Sequence, residues 1–260
     1  MNQGQRRKYL LNYLLNENRL YADTEIPETA QMQIQLLRGL MNVRLAGSVS
    51  REFLEVQDAY LQEAIREKGI VTLEEMDELQ QDLFLWRGDI TRLKVGAIVN
   101  AANSGMTGCY RPNHACIDNC IHTYAGVQLR QKCAEIMEAQ GYEEPTGQAK
   151  ITPAYNLPCD YVIHTVGPIV QGRLTKEHEK LLASCYQSCL ELAEENSVES
   201  IAFCCISTGV FMFPNKRAAE IAVSTVKQYK AETGSRIKVI FNVFKEEDEG
   251  IYARLLGAKK

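Results

Sequence analysis

From Asp82 onward, short apolar runs alternate with longer amphipathic stretches, and no other feature of this chain restricts its fold as strongly. Parallel strands need a long crossover between them, so strand–helix–strand alternation is the pattern of an open, mostly parallel α/β sheet. Candidate strands are residues 83–86, 97–100, 148–152, 161–165, 200–206 and 237–244. Helical stretches occupy 122–138, 176–195 and 215–229, with a short one after Asp248. No internal repeat or low-complexity tract interrupts them.

Residues 1–80 read differently. Tyr9, Leu10, Tyr13 and Leu14 share one helical face, as do Met32, Leu36, Leu40 and Met41, and again Phe53, Tyr60, Leu61, Ala64 and Ile65. Gly69 is placed to end the third helix, and Thr72 with Glu75 has capping-box spacing for a further short one. No strand candidate stands out here. The expected organisation is a helical N-terminal extension over 1–80, whose narrow stripes are buried against a larger α/β domain over 81–260.

Composition limits the partners. Lys and Arg total 29 against 33 Asp and Glu, a net charge of −4 with no basic block, which argues against nucleic acid. Asn12 and Asn16 break the apolar run near the start, and no run approaches a membrane span. Nine cysteines, an odd number without an export signal, point to reduced thiols in a cytoplasm and leave metal binding open.

Ligands of open α/β sheets bind beyond the carboxyl ends of the strands. One such loop runs from Asn100 through Asn103, Ser104 and Gly105 to Gly108, and its amides and glycines suit close backbone approach to a ligand, or an ordinary turn. A second, Ser207-Thr208-Gly209-Val210-Phe211, leads into a helix and can cradle a phosphate on backbone N–H groups, or serve as a plain strand-to-helix turn. The most informative segment is Cys109-Tyr110-Arg111-Pro112-Asn113-His114-Ala115-Cys116. Two thiols and an imidazole within eight positions can converge on one tetrahedral ion, leaving a position open. Cys120 can close the site if it shares a helical face with Cys116, which would make the metal structural. The plain alternative is three unrelated residues. Cys185, Cys189, Cys204 and Cys205 read as small core residues, His164 as a satisfied buried histidine and His178 as a helix-surface residue.

The series Gly88-Asp89-Ile90-Thr91, Ala97-Ile98-Val99-Asn100-Ala101-Ala102-Asn103, Cys120-Ile121-His122, Gly147-Gln148-Ala149, 161–168 and Ile206-Ser207-Thr208-Gly209-Val210-Phe211 strongly resembles the macrodomain family. That resemblance implies a three-layer α/β/α sandwich. MacroD-type hydrolases carry a glycine run and Val-Asp-Gly before Cys-Ile-His, whereas here the 109–116 segment takes that place, as in the zinc-dependent macrodomain subclass. The likeness to that subclass implies Cys109, His114 and Cys116 as ligands of one Zn2+ and Asp118 in the place of the catalytic aspartate. It further implies Asp89 and Ile90 at the adenine, and Asn103 on the distal ribose near the chemistry. Gly108 belongs to that binding loop, Ser207 to Phe211 wrap the diphosphate, Phe211 packs on the distal ribose, and Phe244 sits near the adenine.

The function so implied is removal of ADP-ribose from mono-ADP-ribosylated proteins, with ADP-ribose as product. The subclass points to a lipoyl-carrier protein modified by a sirtuin-type transferase. The competing reading is a module that binds ADP-ribose without turning it over and holds a structural zinc, because fold likeness alone does not establish turnover.

Overall fold

The computed structural model describes residues 1–258. Three helices lead the chain: α1 (Gln3–Glu17), α2 (Ala30–Val43) and α3 (Arg51–Lys68). Asn2, Thr29 and Ser50 cap them by accepting from the backbone N–H groups of Gln5, Met32 and Phe53, each cap contributing about 1 kcal/mol. Gly69 ends α3 at φ +84°, where a β-carbon would be strained. Leu10, Leu11, Leu14, Leu15, Leu37 and Phe53 form the centre of a hydrophobic cluster of their own.

The buried stripe of α2 keeps Leu36, Leu40 and Met41 of the expected one and departs from it at Met32. Met32 is 53% exposed, while Gln33, Leu37, Leu40 and Met41 are buried. Leu36 and Leu37 are adjacent, so apolar spacing alone permits either face. Gln33 goes inside because its Oε1 accepts from Arg7 Nε and its Nε2 donates to the Pro27 carbonyl, so the buried amide is paired.

Two short parallel segments, β1 (Val71–Thr72) and β4 (Leu93–Lys94), pair beside the main sheet. That sheet contains β2 (Glu78–Gln80), β3 (Leu83–Arg87), β5 (Ala97–Ala102), β6 (Ala149–Pro153), β7 (Tyr161–Val166), β8 (Ser200–Phe203) and β9 (Lys238–Val243). Its order is β2-β3-β9-β8-β5-β7-β6. The five inner strands run parallel, and β2 and β6 close the edges antiparallel. β1 and β2 lie where the sequence shows no strand candidate, since pieces of two and three residues are too short to display a period. β5 is buried along almost its whole length, as a strand covered on both faces must be, and pairs with β7 from Ala97↔Tyr161 to Ala102↔Val166.

Helices α4 (Ile117–Ala125) and α5 (Val127–Gln140) cover one face of the sheet, while α6 (Lys176–Glu195), α7 (Asn215–Thr233) and α8 (Glu246–Leu255) cover the other. The result is the three-layer sandwich expected from the sequence. The N-terminal helices dock through α2 and α3 onto α4, and Val127 of α5 joins their cluster. The single helix expected over 122–138 is two helices, broken at Gly126 with φ +98°. A β-carbon there would lie 2.7 Å from Gln57 Nε2 and Gln128 Oε1, so only glycine fits this junction. α4 starts five residues before the expected boundary because the Cys116 thiol caps it, accepting from Asn119 N–H at 3.4 Å.

Candidate active site

The parallel strands end at a common edge, and the loops singled out in the sequence all emerge there. Asp89 follows β3, Asn103 follows β5, Ser207 to Phe211 follow β8 and Phe244 follows β9. Gly88 N–H donates to the Val243 carbonyl, which sets Asp89 and the 77% exposed Phe244 on neighbouring strands. Asp89 accepts from Thr91 N–H at 3.1 Å and Thr91 Oγ1 at 2.6 Å, and pairs with Lys68 Nζ at 3.0 Å. Burial raises its pKa, but the Thr91 hydroxyl and the Lys68 ammonium outweigh that and hold the carboxyl below its ordinary value. Ile90 is buried beneath it.

The 207–211 loop is tight at its ends and open in its middle. Ser207 takes φ +65° and accepts from Phe213 N–H, Met212 N–H donates to Gly209, and Val170 N–H donates to Phe211. Gly167 lies so close that a β-carbon would collide with Ser207 Oγ. Nothing lies within 4 Å of where a β-carbon of Gly209 would be, and Val210 is 70% exposed.

Asp118, on the first turn of α4, is 5% exposed. Its Oδ1 accepts from Asn100 Nδ2 at 2.8 Å, and its Oδ2 lies 3.4 Å from Asn103 Nδ2. Asn103 also donates to the Gly108 carbonyl and accepts from Gly105 N–H. Burial lifts Asp118 from its ordinary 3.8 to about 6, opposed by the Asn100 amide and the positive charge of Arg130. A carboxylate held near the physiological range is suited to proton transfer. His122 Nε2 stands 3.6 Å from Asp118 Oδ1, but burial holds the imidazole well below its ordinary pKa, so the contact joins a neutral ring to a carboxylate and is no ion pair. Gly108, at φ +88°, packs on that ring, and a β-carbon there would come within 2.9 Å of it. His164 is the satisfied buried histidine expected, engaged by Asn100 and Thr152 and pushed down to about 3 by burial.

Two residues before Asp118, the loop brings its thiols and imidazole together. Cys109 Sγ and His114 Nδ1 are 3.4 Å apart, and these atoms and Cys116 Sγ all lie within 4.8 Å of one another. Zn–S bonds of about 2.3 Å and Zn–N bonds of about 2.0–2.1 Å at tetrahedral angles give ligand separations of about 3.5–3.8 Å, so this donor set fits a zinc ion with little adjustment. Burial pushes the Cys116 thiol up to about 12, with the Asn119 N–H opposing and Cys109 reinforcing. Cys116 is thus a neutral thiol without metal, and a bound cation would displace its proton. Cys120 is outside the cluster, and its Sγ accepts from Arg38 Nη2 at 3.5 Å. A second group, His122, Cys133 and His164, is fully buried, and its His164 nitrogens are already engaged.

Comparison with known proteins gives the family of the chain. The Macro domain model matches residues 99–222. A protein-ADP-ribose hydrolase of Treponema medium is 60% identical over 98% of this chain and 100% of its own length. The chain belongs to the macro domain family. A protein-ADP-ribose hydrolase of Staphylococcus aureus (strain MSSA476) is 51% identical over 94% of each chain. Among solved structures, the Trypanosoma brucei macrodomain in complex with ADP-ribose superposes with a TM-score of 0.66 at 28% identity, covering 89% of this chain and 97% of that one.

In this macro domain Asp118, Asn103 and Gly108 form one bonded group, and the Cys109 and Cys116 thiols with the His114 imidazole form another, two residues before Asp118 in the chain. Asp89, Ile90 and Phe244 stand apart, over β3 and β9, with the 207–211 loop following β8 between that pair and β5 in the sheet order. Four contributors escaped the sequence reading. Arg130, buried on α5, donates to the carbonyls of Thr107, Met41 and Arg44 and so ties the loop after β5 to the N-terminal helices. Asn119, Arg38 and Asn42 hold the 109–116 backbone. The Asn119 amide beside the Cys-Ile-His run offered a faint signal, whereas the other three offered none.

Proposed function

We propose that this macro domain hydrolyses the bond between ADP-ribose and a side chain of a modified protein, with a zinc ion held by Cys109, His114 and Cys116 beside Asp118. The observation that carries the reading is that Cys116 caps the helix whose first turn bears Asp118, so one thiol of the cluster and the carboxylate are fixed to the same helix. The names of the relatives above support the hydrolase reading, and the position of Cys120 outside the cluster supports three protein ligands over four.

Asp89 accepts from the adenine amino group beside Ile90, Phe244 lies along the base, and the backbone of Ser207 to Phe211 surrounds the diphosphate. Asn103 and Phe211 fix the distal ribose. Asp118 takes a proton from water as the water oxygen bonds to the anomeric carbon, while the bond from that carbon to the protein side chain breaks, its electron pair leaves with the side-chain atom, and that atom takes up the proton held by Asp118 or one from solvent. Asn100 orients Asp118 for that role, and burial keeps its proton affinity high enough to accept. When bound, zinc supplies a Lewis-acid contact for a ribose hydroxyl or the reacting water; two thiolates neutralise its charge, which favours positioning over strong acidification.

A lipoyl-carrier protein modified by a sirtuin-type transferase is the substrate candidate that the subclass resemblance names, and the free thiols of this chain support a reducing compartment. The deciding experiment combines metal analysis with release of ADP-ribose from mono-ADP-ribosylated proteins of ester and N-glycosidic linkage, a lipoyl-carrier protein among them. About one zinc per chain and turnover lost on chelation are expected. Undiminished turnover in the chelated protein would overturn the zinc-dependent reading.

A further inference from the structure

Resting on the reading of Cys109, His114 and Cys116 as zinc ligands, we propose that α2 is the template of the metal loop: Arg38, Gly39 and Asn42 hold residues 109–116 in their ligating shape before metal arrives and thereby set the affinity for it. These are positioning residues. None of them contributes a ligand atom to the cluster.

The loop has little structure of its own. One backbone bond lies within it, from His114 N–H to the Arg111 carbonyl at 3.3 Å, and Asn113 sits at φ +54°, a left-handed turn that asparagine accepts more readily than other side-chain-bearing residues. The surroundings are α2 and α4. Arg38 Nη2 donates to the His114 carbonyl at 2.8 Å and to Asn119 Oδ1 at 3.0 Å. Asn119, thus oriented and fully buried, donates through Nδ2 to the carbonyls of Arg111 at 3.0 Å and Cys109 at 3.3 Å. Asn42, 1% exposed, accepts from Asn113 N–H at 2.9 Å and donates to Thr123 Oγ1 at 2.9 Å. Gly39 lets the helix approach, since a β-carbon there would meet Asn113 Nδ2 at 3.2 Å.

The peptide groups of residues 109, 111, 113 and 114 are therefore held from outside the loop, two by α2 directly and two through Asn119, which Arg38 orients. The conformational entropy of ordering the segment is lost on folding, so it does not weaken metal capture. Partners that orient metal ligands from behind typically change metal affinity by about 10- to 100-fold when removed.

The test uses the full chain as wild type, Arg38→Met, Asn42→Ala and Arg38→Lys. Zinc affinity is measured by competition with a chromophoric chelator, amide hydrogen exchange at Asn113 is followed in the chelated proteins, and thermal unfolding reports the fold. Arg38→Met and Asn42→Ala should each weaken zinc binding about 10- to 100-fold, and Asn42→Ala should speed exchange at Asn113, while both keep a cooperative thermal transition. Arg38→Lys should recover part of the affinity, because one ammonium can reach one of the two oxygen acceptors. Unchanged zinc affinity in both variants, or losses seen only where the thermal transition is gone, would overturn the inference. A wild type that holds no zinc would sink the ligand reading and this inference with it, whereas zinc held equally by wild type and variants sinks the inference alone.

Discussion

Replacing Asp118 by asparagine should stabilise the metal-free protein while removing its turnover. The carboxyl is displaced from 3.8 to about 6 chiefly by burial. A raised carboxylate pKa means that the folded chain holds its proton more tightly than the unfolded chain. The contribution of this group to stability is therefore greatest below pH 3.8 and is lost as pH rises through about 6. At about 1.4 kcal/mol per pH unit, the ionised group costs about 3 kcal/mol at pH 8. Asparagine keeps the acceptor for Asn100 and carries no charge, but it sets an amide near Asn103 Nδ2, now 3.4 Å from the carboxylate, which trims the gain. A net stabilisation of about 1–3 kcal/mol at pH 8 is expected, shrinking to about 1 kcal/mol or less near pH 4.5. Urea unfolding of both chelated proteins at the two pH values measures it, and release of ADP-ribose from modified protein by the zinc-loaded variant should fall at least about 100-fold. A variant less stable than wild type at pH 8, or one that keeps its turnover, would refute the assignment of a strained, buried base.

Cys109→Ala, His114→Ala and Cys116→Ala should each lose most bound zinc by metal analysis, and Cys120→Ser should keep it, because Cys120 lies outside the cluster. Asp89→Ala should weaken binding of free ADP-ribose, read by calorimetry, by about 10- to 100-fold through loss of a charge-assisted hydrogen bond; undiminished affinity would remove Asp89 from the adenine site. Deleting residues 1–80 should yield an aggregating protein by light scattering, since the deletion uncovers Val127 and removes β1 and β2. A soluble, fully active fragment would show that the extension is separable.

The sequence made the layered architecture legible because the core strands are short, largely apolar stretches of four to six residues and α6 has a clean period between a Thr175 cap and Asn196. The loops carrying Asn103 and Ser207 to Phe211 were legible for a related reason, since chain order and strand direction fix where they emerge, whereas Asp89 stood out only through the family resemblance. The Gly126 break was not, because a glycine between two good helical segments is tolerated by propensity and decided by what packs against it, here Gln57 and Gln128. The α2 face was misread in part because a buried Gln33 counts as polar until its partners are known. Arg38 and Asn42 reach acceptors and donors 71 to 82 positions away, a separation at which local pattern holds no information.

The N-terminal helices touch the site at both ends. α2 meets the thiol-bearing loop, while the last residue of α3, Lys68, lies 3.5 Å over the Tyr124 ring and 3.0 Å from Asp89. One hydrophobic cluster, with Phe53 at its centre, joins these two helices. Segments of a native protein open in cooperative units, so a partial opening of that cluster would loosen the 109–116 loop and Asp89 in the same event. A substitution deep among α1, α2 and α3 would then register at both places without touching either.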